Sequence, residues 1–232
     1  MTIPLQRTHF SISRAAEYFD AKELQAQTGQ PVDKFATVVL KELMDNALDA
    51  CETAGVAPEI SVTVDRDDDR IVVAVVDNGP GLPPDVLARI LNFDTRTSDK
   101  SRYRSPTRGA QGNALKTIVG IPTALGSDTP IRIEACGLRH TIAPRVDTAG
   151  NVDTGHTSEI IGETTGTTIM VSLPAIGQNV APTVWVRAYA LANPHVLVKI
   201  DESDRRSEHM LNRLSAHRPI LTTRPSPSPP SG

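Results

Sequence analysis

The chain has 232 residues, which is enough for one large α/β domain with a substantial core. Its 39% hydrophobic and 22% charged residues are ordinary for a globular protein, and its net charge of −3 excludes a whole-molecule field that would hold DNA or an anionic membrane. Two cysteines cannot build a disulfide framework or a multi-cysteine zinc site, so we expect a reducing, cytoplasmic location. No apolar run is long enough to cross a bilayer, and residues 1–10 contain no apolar core of secretory length.

Helical and strand patterns alternate along the chain. The periodicity predicts helices over 13–27, 35–54, 84–91, 112–119 and 183–192, and strands over 60–64, 71–76, 131–135, 139–143, 157–161, 167–173 and 195–201. A helix-then-hairpin start followed by more strands predicts an α/β fold, a two-layer α/β sandwich with helices on one face of a mixed, mostly antiparallel sheet. We expect one folded domain over 1–203, a terminal helix over 204–218 and a disordered Pro/Ser-rich tail over 219–232.

The helix predicted over 35–54 carries a polar stripe. Glu42, Asn46 and Asp49 occur in KELMDNALDA at a spacing of i, i+4 and i+7, so they share one helix face, beside apolar positions that face the core. Acid and amide groups at the edge of a core are costly unless they are paired, and a divalent cation with a water molecule would pair them. The alternative is a solvated helix face with incidental polar residues, and Asp49 is expected to be mainly structural.

The continuous apolar run over 71–76 predicts a central strand, and it ends in Asp77-Asn-Gly-Pro-Gly81. An Asp that leaves a buried strand can place its carboxylate in the floor of a pocket. Gly79 and Gly81 would let the backbone approach a ligand or bend sharply. A plain Asn-Gly turn that ends the strand is the competing interpretation.

A long polar loop over 93–111 carries five basic residues and ends in a second glycine cluster, Arg108-Gly-Ala-Gln-Gly-Asn-Ala-Leu-Lys116. Backbone N–H groups at a helix N-terminus bind phosphate, and a lysine in the first turns could add a positive charge. The spacing does not match a Walker A loop. The Gly-Lys-Thr/Ser ending of that motif is missing, because Ala114 and Leu115 intervene before Lys116. A mobile, solvated loop is the alternative interpretation for the basic residues.

A Gly-Thr pair opens the strand predicted over 167–173. Threonine at the start of a strand is ordinary β-propensity. Thr167 therefore becomes a candidate site residue only if its hydroxyl reaches the same pocket as Asp77.

Taken together, the order of these four pieces resembles the GHKL (Bergerat-fold, HSP90-like) ATPase superfamily, from about residue 10 to residue 201. LKELMDNALDACETAG, the preceding ISRAAEYFDAKELQ and the later ALANPH are similar to the ATPase domain in the B subunit of DNA topoisomerase VI. The resemblance implies a Bergerat ATP-binding fold over 1–203, with ATP as the ligand and Mg²⁺ as the cofactor. Under this resemblance Glu42 would be the general base that orients the attacking water, and Asn46 would ligate Mg²⁺.

The resemblance also assigns the nucleotide contacts. Asp77 would accept the adenine amino group, and Thr167 would support adenine recognition. Gly79 and Gly81 would shape the pocket wall.

The phosphates would be capped by the second glycine cluster. The backbone N–H groups of Gly109, Gln111 and Gly112 would contact them, with Arg108 and Lys116 nearby. Phosphoryl transfer asks mainly for position, a metal and charge compensation, and this residue set provides all three.

In the B subunit of topoisomerase VI a following domain supplies a lysine to the γ-phosphate, and residues 202–232 are too few to form it. We therefore expect an ATPase with slow hydrolysis, completed by a separate protein subunit or a nucleotide-dependent homodimer. DNA contact would be indirect if it occurs at all, and no membrane contact is expected. Two alternatives stay open, namely a protein kinase of the same superfamily and an ATP-dependent regulatory or interaction module.

Overall fold

A computed structural model of the protein describes residues 15–93 and 114–204. Its strands are β1 (Glu59–Arg66), β2 (Arg70–Asp77), β3 (Ile131–Ala135), β4 (Leu138–Ile142), β5 (Arg145–Val146), β6 (Val152–Asp153), β7 (Thr157–Ile160), β8 (Thr167–Pro174) and β9 (Leu197–Asp204). Seven of them form one sheet in the order β7-β4-β3-β8-β2-β1-β9, and β5 pairs with β6 in a small separate hairpin. Within the seven-stranded sheet β1 and β9 run parallel, and every other pairing is antiparallel.

The helices are α1 (Ala21–Thr28), α2 (Phe35–Ala54), α3 (Pro84–Ile90), α4 (Ala114–Ala124) and α5 (Pro182–Ala192), with short 3₁₀ helices over Ala15–Phe19 and Val32–Lys34. None of the helices within the two described ranges is both long and apolar enough to traverse a bilayer.

Along β1, β2 and β8, alternate residues are buried against the helices. Val64, Val73 and Val171 lie side by side on β1, β2 and β8, and all three are buried in the main core with the apolar face of α2. Burying one face of each strand removes its apolar side chains from water and fixes the register, because a slip by one residue would expose them. The predicted two-layer α/β sandwich with a mixed, mostly antiparallel sheet is confirmed.

The long helix α2 has the predicted bounds. Phe35, Val39 and Leu43 recur every four residues and are buried, which gives the helix its core-facing stripe. The helix ends at Gly55, whose backbone has φ of 69° and whose N–H donates to the carbonyl of Cys51. Glycine adopts this left-handed conformation without strain, so the sequence stops the helix at this residue.

The start of α2 is capped by Gln178, which is 142 positions from Ala36 in the sequence. Its N-cap residue makes no side-chain hydrogen bond, but Gln178 Oε1 accepts a hydrogen bond of 2.9 Å from the Ala36 N–H. The same side chain donates through Nε2 to the Val32 carbonyl at 3.0 Å. Gln178 therefore satisfies an N–H at the helix start that has no intrahelical partner.

The helix predicted over 13–27 is interrupted in the structure. Asp20 has extended backbone angles, and its carboxylate accepts hydrogen bonds from the N–H groups of Lys22 and Glu23. This is an N-cap, so α1 begins at Ala21 and the residues before it form the 3₁₀ helix Ala15–Phe19.

Three sequence predictions lie outside the described residues, wholly or nearly so. They are the polar loop over 93–111, of which Phe93 alone is described, the tail over 219–232, and the helix over 204–218. Strand β9 extends through Asp204, so that residue belongs to the sheet. The small β5–β6 hairpin was not predicted, because two-residue strands carry too little pattern to recognise.

Replacing Gln178 with alanine should destabilise the protein by about 1–3 kcal/mol, because it leaves the Ala36 N–H buried without a partner. Urea unfolding of the wild type and of Gln178→Ala would measure the loss. Gln25→Ala, at an exposed position of α1, is the matched control and should change stability by less than about 0.5 kcal/mol. Equal stability of the two variants would show that the long-range cap contributes nothing.

Candidate functional site

Asp77 lies at the end of β2 with 7% of its surface exposed. Its Oδ1 accepts hydrogen bonds from the N–H of Gly79 at 2.8 Å and from the N–H of Thr167 at 3.1 Å. Its Oδ2 receives no hydrogen bond from any of the residues that the structure describes. One carboxylate oxygen is thus fixed by the protein, and the other is left for a donor from elsewhere.

Burial raises the pKa of the Asp77 carboxyl group, and the N–H groups of Gly79 and Thr167 offset this only in part. The ionised carboxylate is disfavoured because burial removes most of its hydration, and hydrogen bonds from two uncharged N–H groups replace that hydration only in part. A ligand that donates a hydrogen bond to this carboxylate would therefore meet an acceptor that the described residues leave incompletely hydrogen-bonded.

Glycines surround the carboxylate because side chains would not fit. A Cβ at Gly166 would overlap the carbonyl oxygen of Asp77, and the residue has φ of 70°. A Cβ at Gly79 would lie 2.9 Å from Asp77 Oδ1. At Gly81, with φ of 85°, it would lie 3.0 Å from Cys136 Sγ. The loop after β2 and the turn before β8 are therefore in backbone contact, and the role of Gly79 and Gly81 in a pocket wall stays a prediction.

The polar stripe of α2 leads to the same loop. Glu42, Asn46 and Ala50 follow one another at i, i+4 and i+8, so they lie on one face of the helix. The Cβ of Ala50 is 3.4 Å from the Cβ position of Gly79, which puts the continuation of the Glu42–Asn46 helix face against the loop that holds Asp77. Glu42 is two turns away, about 12 Å along the helix axis. The structure thus brings these predicted residues of α2 and the Asp77 loop to one side of the molecule.

Asn46 has an unsatisfied side chain. Its Nδ2 is buried and has no hydrogen-bond partner among the described residues. A buried amide without a partner costs free energy, so it is expected to serve a ligand or a water molecule. The amide oxygen of the same side chain is a hard ligand of the kind that Mg²⁺ prefers, so this residue fits a magnesium site. In the described part of the chain no three His, Cys, Asp or Glu side chains form a metal-binding group.

Asn78 anchors the loop, a role that the sequence did not reveal. Its Oδ1 accepts hydrogen bonds from the Glu59 N–H at 2.9 Å and from the Cys51 thiol at 3.3 Å. Its Nδ2 donates to the Ala57 carbonyl at 3.0 Å. All these partners lie near the end of α2 and the start of β1, so the side chain joins the helix to the loop that holds Asp77. An Asn-Gly pair in a sequence indicates a turn but not these distant partners.

Two further residues that the sequence analysis did not single out lie beside Glu42. Lys41 Nζ is 3.2 Å from Glu42 Oε1 and 2.7 Å from Asp45 Oδ2. Burial alone would lower the pKa of Lys41, but the hydrogen bond to Asp45 and the charges of Glu42 and Asp45 outweigh it and leave that pKa raised. The i,i+4 spacing of Lys41 and Asp45 is the only sequence signal for this cluster.

Lys116 is placed differently from what the phosphate prediction suggests. It is 1% exposed, and its Nζ donates to the Asn92 carbonyl at 2.7 Å. The same nitrogen is 5.7 Å from the ring centres of Tyr18 and Phe93. In this structure the ammonium therefore contacts the residue just past the end of α3 and two aromatic rings, and its role toward phosphate stays a prediction. The other residues of that cluster, Arg108, Gly109, Gln111 and Gly112, lie outside the described residues.

Asp77→Asn should remove a pH-dependent part of the stability. Because burial raises the pKa of Asp77 in the folded state, the folded protein binds a proton before the unfolded chain does as pH falls. The wild type should therefore gain stability relative to the variant as pH is lowered through that raised pKa, and lose it as pH rises. Urea unfolding of both proteins from about pH 4 to pH 8 would measure the difference. A difference that does not change with pH would contradict the assignment.

Comparison with known proteins is consistent with this geometry. A family model described as "Histidine kinase-, DNA gyrase B-, and HSP90-like ATPase" matches residues 32–176. The B subunit of type 2 DNA topoisomerase 6 from Archaeoglobus fulgidus is 36% identical over 129 residues, covering 53% of this chain and 21% of that protein. The protein of the same name from Methanosarcina barkeri is 29% identical over 219 residues, covering 88% of this chain and 34% of the relative.

The relative from Saccharolobus shibatae, again the B subunit of a type 2 DNA topoisomerase 6, is 30% identical over 177 residues, covering 71% of this chain and 32% of the relative. The chain thus spans about a third or less of these relatives. The matched residues 32–176 include α2, the Asp77 loop and Thr167, and they make up more than half of the chain. The protein belongs to the histidine kinase-, DNA gyrase B- and HSP90-like (GHKL) ATPase family.

Proposed function

We propose that the protein binds Mg-ATP between α2 and the Asp77 loop and hydrolyses it slowly. The observation that carries this proposal is the Asp77 carboxylate, which is buried among glycines, is held by two N–H groups through Oδ1 and keeps Oδ2 for a ligand. Few ligand groups suit such an acceptor. The exocyclic amino group of adenine is one, because it donates a hydrogen bond and is flat enough to enter between glycines.

Asp77 also supplies base specificity in this proposal. Guanine presents a carbonyl oxygen where adenine presents the amino group, and that oxygen would face an ionised carboxylate. An acceptor opposite an acceptor leaves a buried polar group unpaired, which disfavours the wrong base. Thr167 supports adenine indirectly, since its N–H holds Asp77 Oδ1 in place. Gly79 and Gly81 would form the wall of the pocket, where an added Cβ would crowd Asp77 Oδ1 or Cys136 Sγ.

The phosphates would extend from the base along the polar stripe of α2. Asn46 would hold Mg²⁺ through its amide oxygen, and the metal would compensate the charge of the phosphate oxygens. The second glycine cluster would contact the phosphates through backbone N–H groups, namely those of Gly109, Gln111 and Gly112, with Arg108 and Lys116 adding positive charge.

Glu42 would act as the general base. Its side chain is 26% exposed, so it can reach a water molecule, and it lies one turn from Asn46 on the same face of α2. The carboxylate would accept a proton from the water that attacks the γ-phosphate and orient that water in line with the leaving oxygen. Because the relatives are named as B subunits, we further propose that a separate protein subunit or a nucleotide-dependent homodimer takes part in the active assembly, with DNA involved only indirectly.

Millimolar Mg-ATP should raise the melting temperature of the protein, because a ligand that binds the folded state stabilises it. Asp77→Asn should abolish the shift, since the amide can present an N–H to the adenine amino group and repel it. Asp201→Asn, at an exposed position of β9, is the matched control and should keep the full shift. Differential scanning fluorimetry with ATP and with GTP would measure both effects. If ATP does not raise the melting temperature of the wild type, nucleotide binding is wrong.

Glu42→Ala should leave the ATP-induced shift intact and reduce phosphate release by about a hundredfold or more, because general base catalysis typically contributes this much. The measurement is a steady-state assay of phosphate released with and without Mg²⁺. Turnover that survives the substitution would remove Glu42 as the base. Radiolabelled ATP separates the alternatives: label on protein favours a kinase, and binding without turnover in the wild type favours a regulatory module.

A further inference from the structure

On α2, the Lys41 ammonium bridges two carboxylates. It lies 2.7 Å from Asp45 Oδ2 and 3.2 Å from Glu42 Oε1. The side chain of Asp45 is 10% exposed, whereas that of Lys41 is 45% exposed and that of Glu42 is 26% exposed. The most buried member of the cluster therefore makes the shorter contact, and the proposed base makes the longer one.

Asp45 is the anchor of this cluster. A carboxylate this deeply buried has lost most of its water and needs an ionic or hydrogen-bonding partner. Lys41 is one turn before it on the helix and provides that partner. Because Asp45 holds the ammonium, the flexible four-carbon side chain of Lys41 loses its freedom, and its remaining donors are directed to a fixed place.

Glu42 gains a fixed orientation from the same ammonium. Lys41 donates to Glu42 Oε1, and Glu42 Oε2 receives no hydrogen bond from the described residues. An isolated glutamate at a half-exposed helix position would sample several rotamers, few of which suit the attack of water on a phosphate. A glutamate tied through one oxygen presents the other oxygen in one direction.

We propose that Lys41, held by Asp45, is a positioning residue that fixes the Glu42 carboxylate for water activation. This inference rests on the proposed role of Glu42 as general base. The cluster thus serves the chemical step and not nucleotide affinity.

The main test removes the cation without stranding Asp45. Lys41→Met combined with Asp45→Asn replaces the pair by neutral side chains of similar size, and it should lower kcat by about threefold to tenfold. The dissociation constant for a non-hydrolysable ATP analogue should stay within a factor of about two of the wild-type value. Lys41→Arg should restore most of kcat, because it keeps a cation between the two carboxylates.

The matched control is the ion pair of Asp85 and Arg89 on α3, which has the same i,i+4 spacing. Asp85→Asn combined with Arg89→Met should leave kcat unchanged. A double-mutant cycle with Glu42→Ala adds a readout that a merely structural role would not move. In that background the loss of Lys41 and Asp45 should have no further effect on residual turnover, because there is no base left to position.

The outcomes distinguish a failure of the proposed hydrolysis from a failure of the proposed role of Lys41. Wild-type protein that releases no phosphate overturns the proposed hydrolysis itself. Wild-type turnover that depends on Glu42 but is unchanged in the Lys41/Asp45 variant overturns this inference alone. An equal loss with and without Glu42 also overturns it, since that result indicates a general effect on the fold. If the double variant does not fold, Lys41→Gln, whose stability is checked by urea unfolding, takes its place with the same expectations.

Discussion

The candidate site depends on one shared hydrogen-bond acceptor, Asp77 Oδ1. Strands β2 and β8 are antiparallel neighbours, and their register pairs Val76 with Thr168. Asp77 therefore comes opposite Thr167, and the same oxygen that accepts the Thr167 N–H also accepts the Gly79 N–H. A single carboxylate thus connects the loop after β2 with the turn before β8, its neighbour in the sheet.

Hydrogen bonds to other parts of the fold hold helix α2 near both of its ends. Gln178 caps its first turn, and Asn78 Oδ1 accepts a hydrogen bond from the Cys51 thiol near its last turn. The Tyr189 hydroxyl donates to the Met44 carbonyl at 3.3 Å in between. A helix fixed at three points cannot slide or rotate past the sheet without breaking buried hydrogen bonds. Glu42 and Asn46 consequently sit on a rigid support, as a site that must hold reacting atoms in place requires.

Local pattern was sufficient for the elements that this site uses. The bounds of α2 follow from the four-residue recurrence of apolar side chains and the glycine stop, and the β1–β2 hairpin follows from two apolar runs around an acidic turn. Thr167 contacts Asp77 through its backbone N–H, whereas the sequence made it a candidate through its hydroxyl, so its role in the site stays a prediction. The long-range partners could not be read from the sequence. The hydrogen bond between Gln178 and Ala36 joins residues 142 positions apart, and only the folded sheet brings them together.

Burial of Asp77 links stability and ligand binding in this fold. The carboxylate has lost most of its contact with water, and its raised pKa records that its ionised form is not fully compensated by Gly79 and Thr167. A fully compensated carboxylate would make a more stable apo protein and a weaker acceptor for a ligand. Under the proposed function, a donor ligand that binds Oδ2 would recover part of this free energy. The buried Nδ2 of Asn46 likewise has no hydrogen-bond partner among the described residues, so a ligand that accepts a hydrogen bond from it would also recover free energy under the proposed function. Asp77 Oδ2 and Asn46 Nδ2 lie on the side of the molecule that extends from the Asp77 loop to Glu42. Under the proposed function, these two unsatisfied polar atoms mark where the ligand is expected.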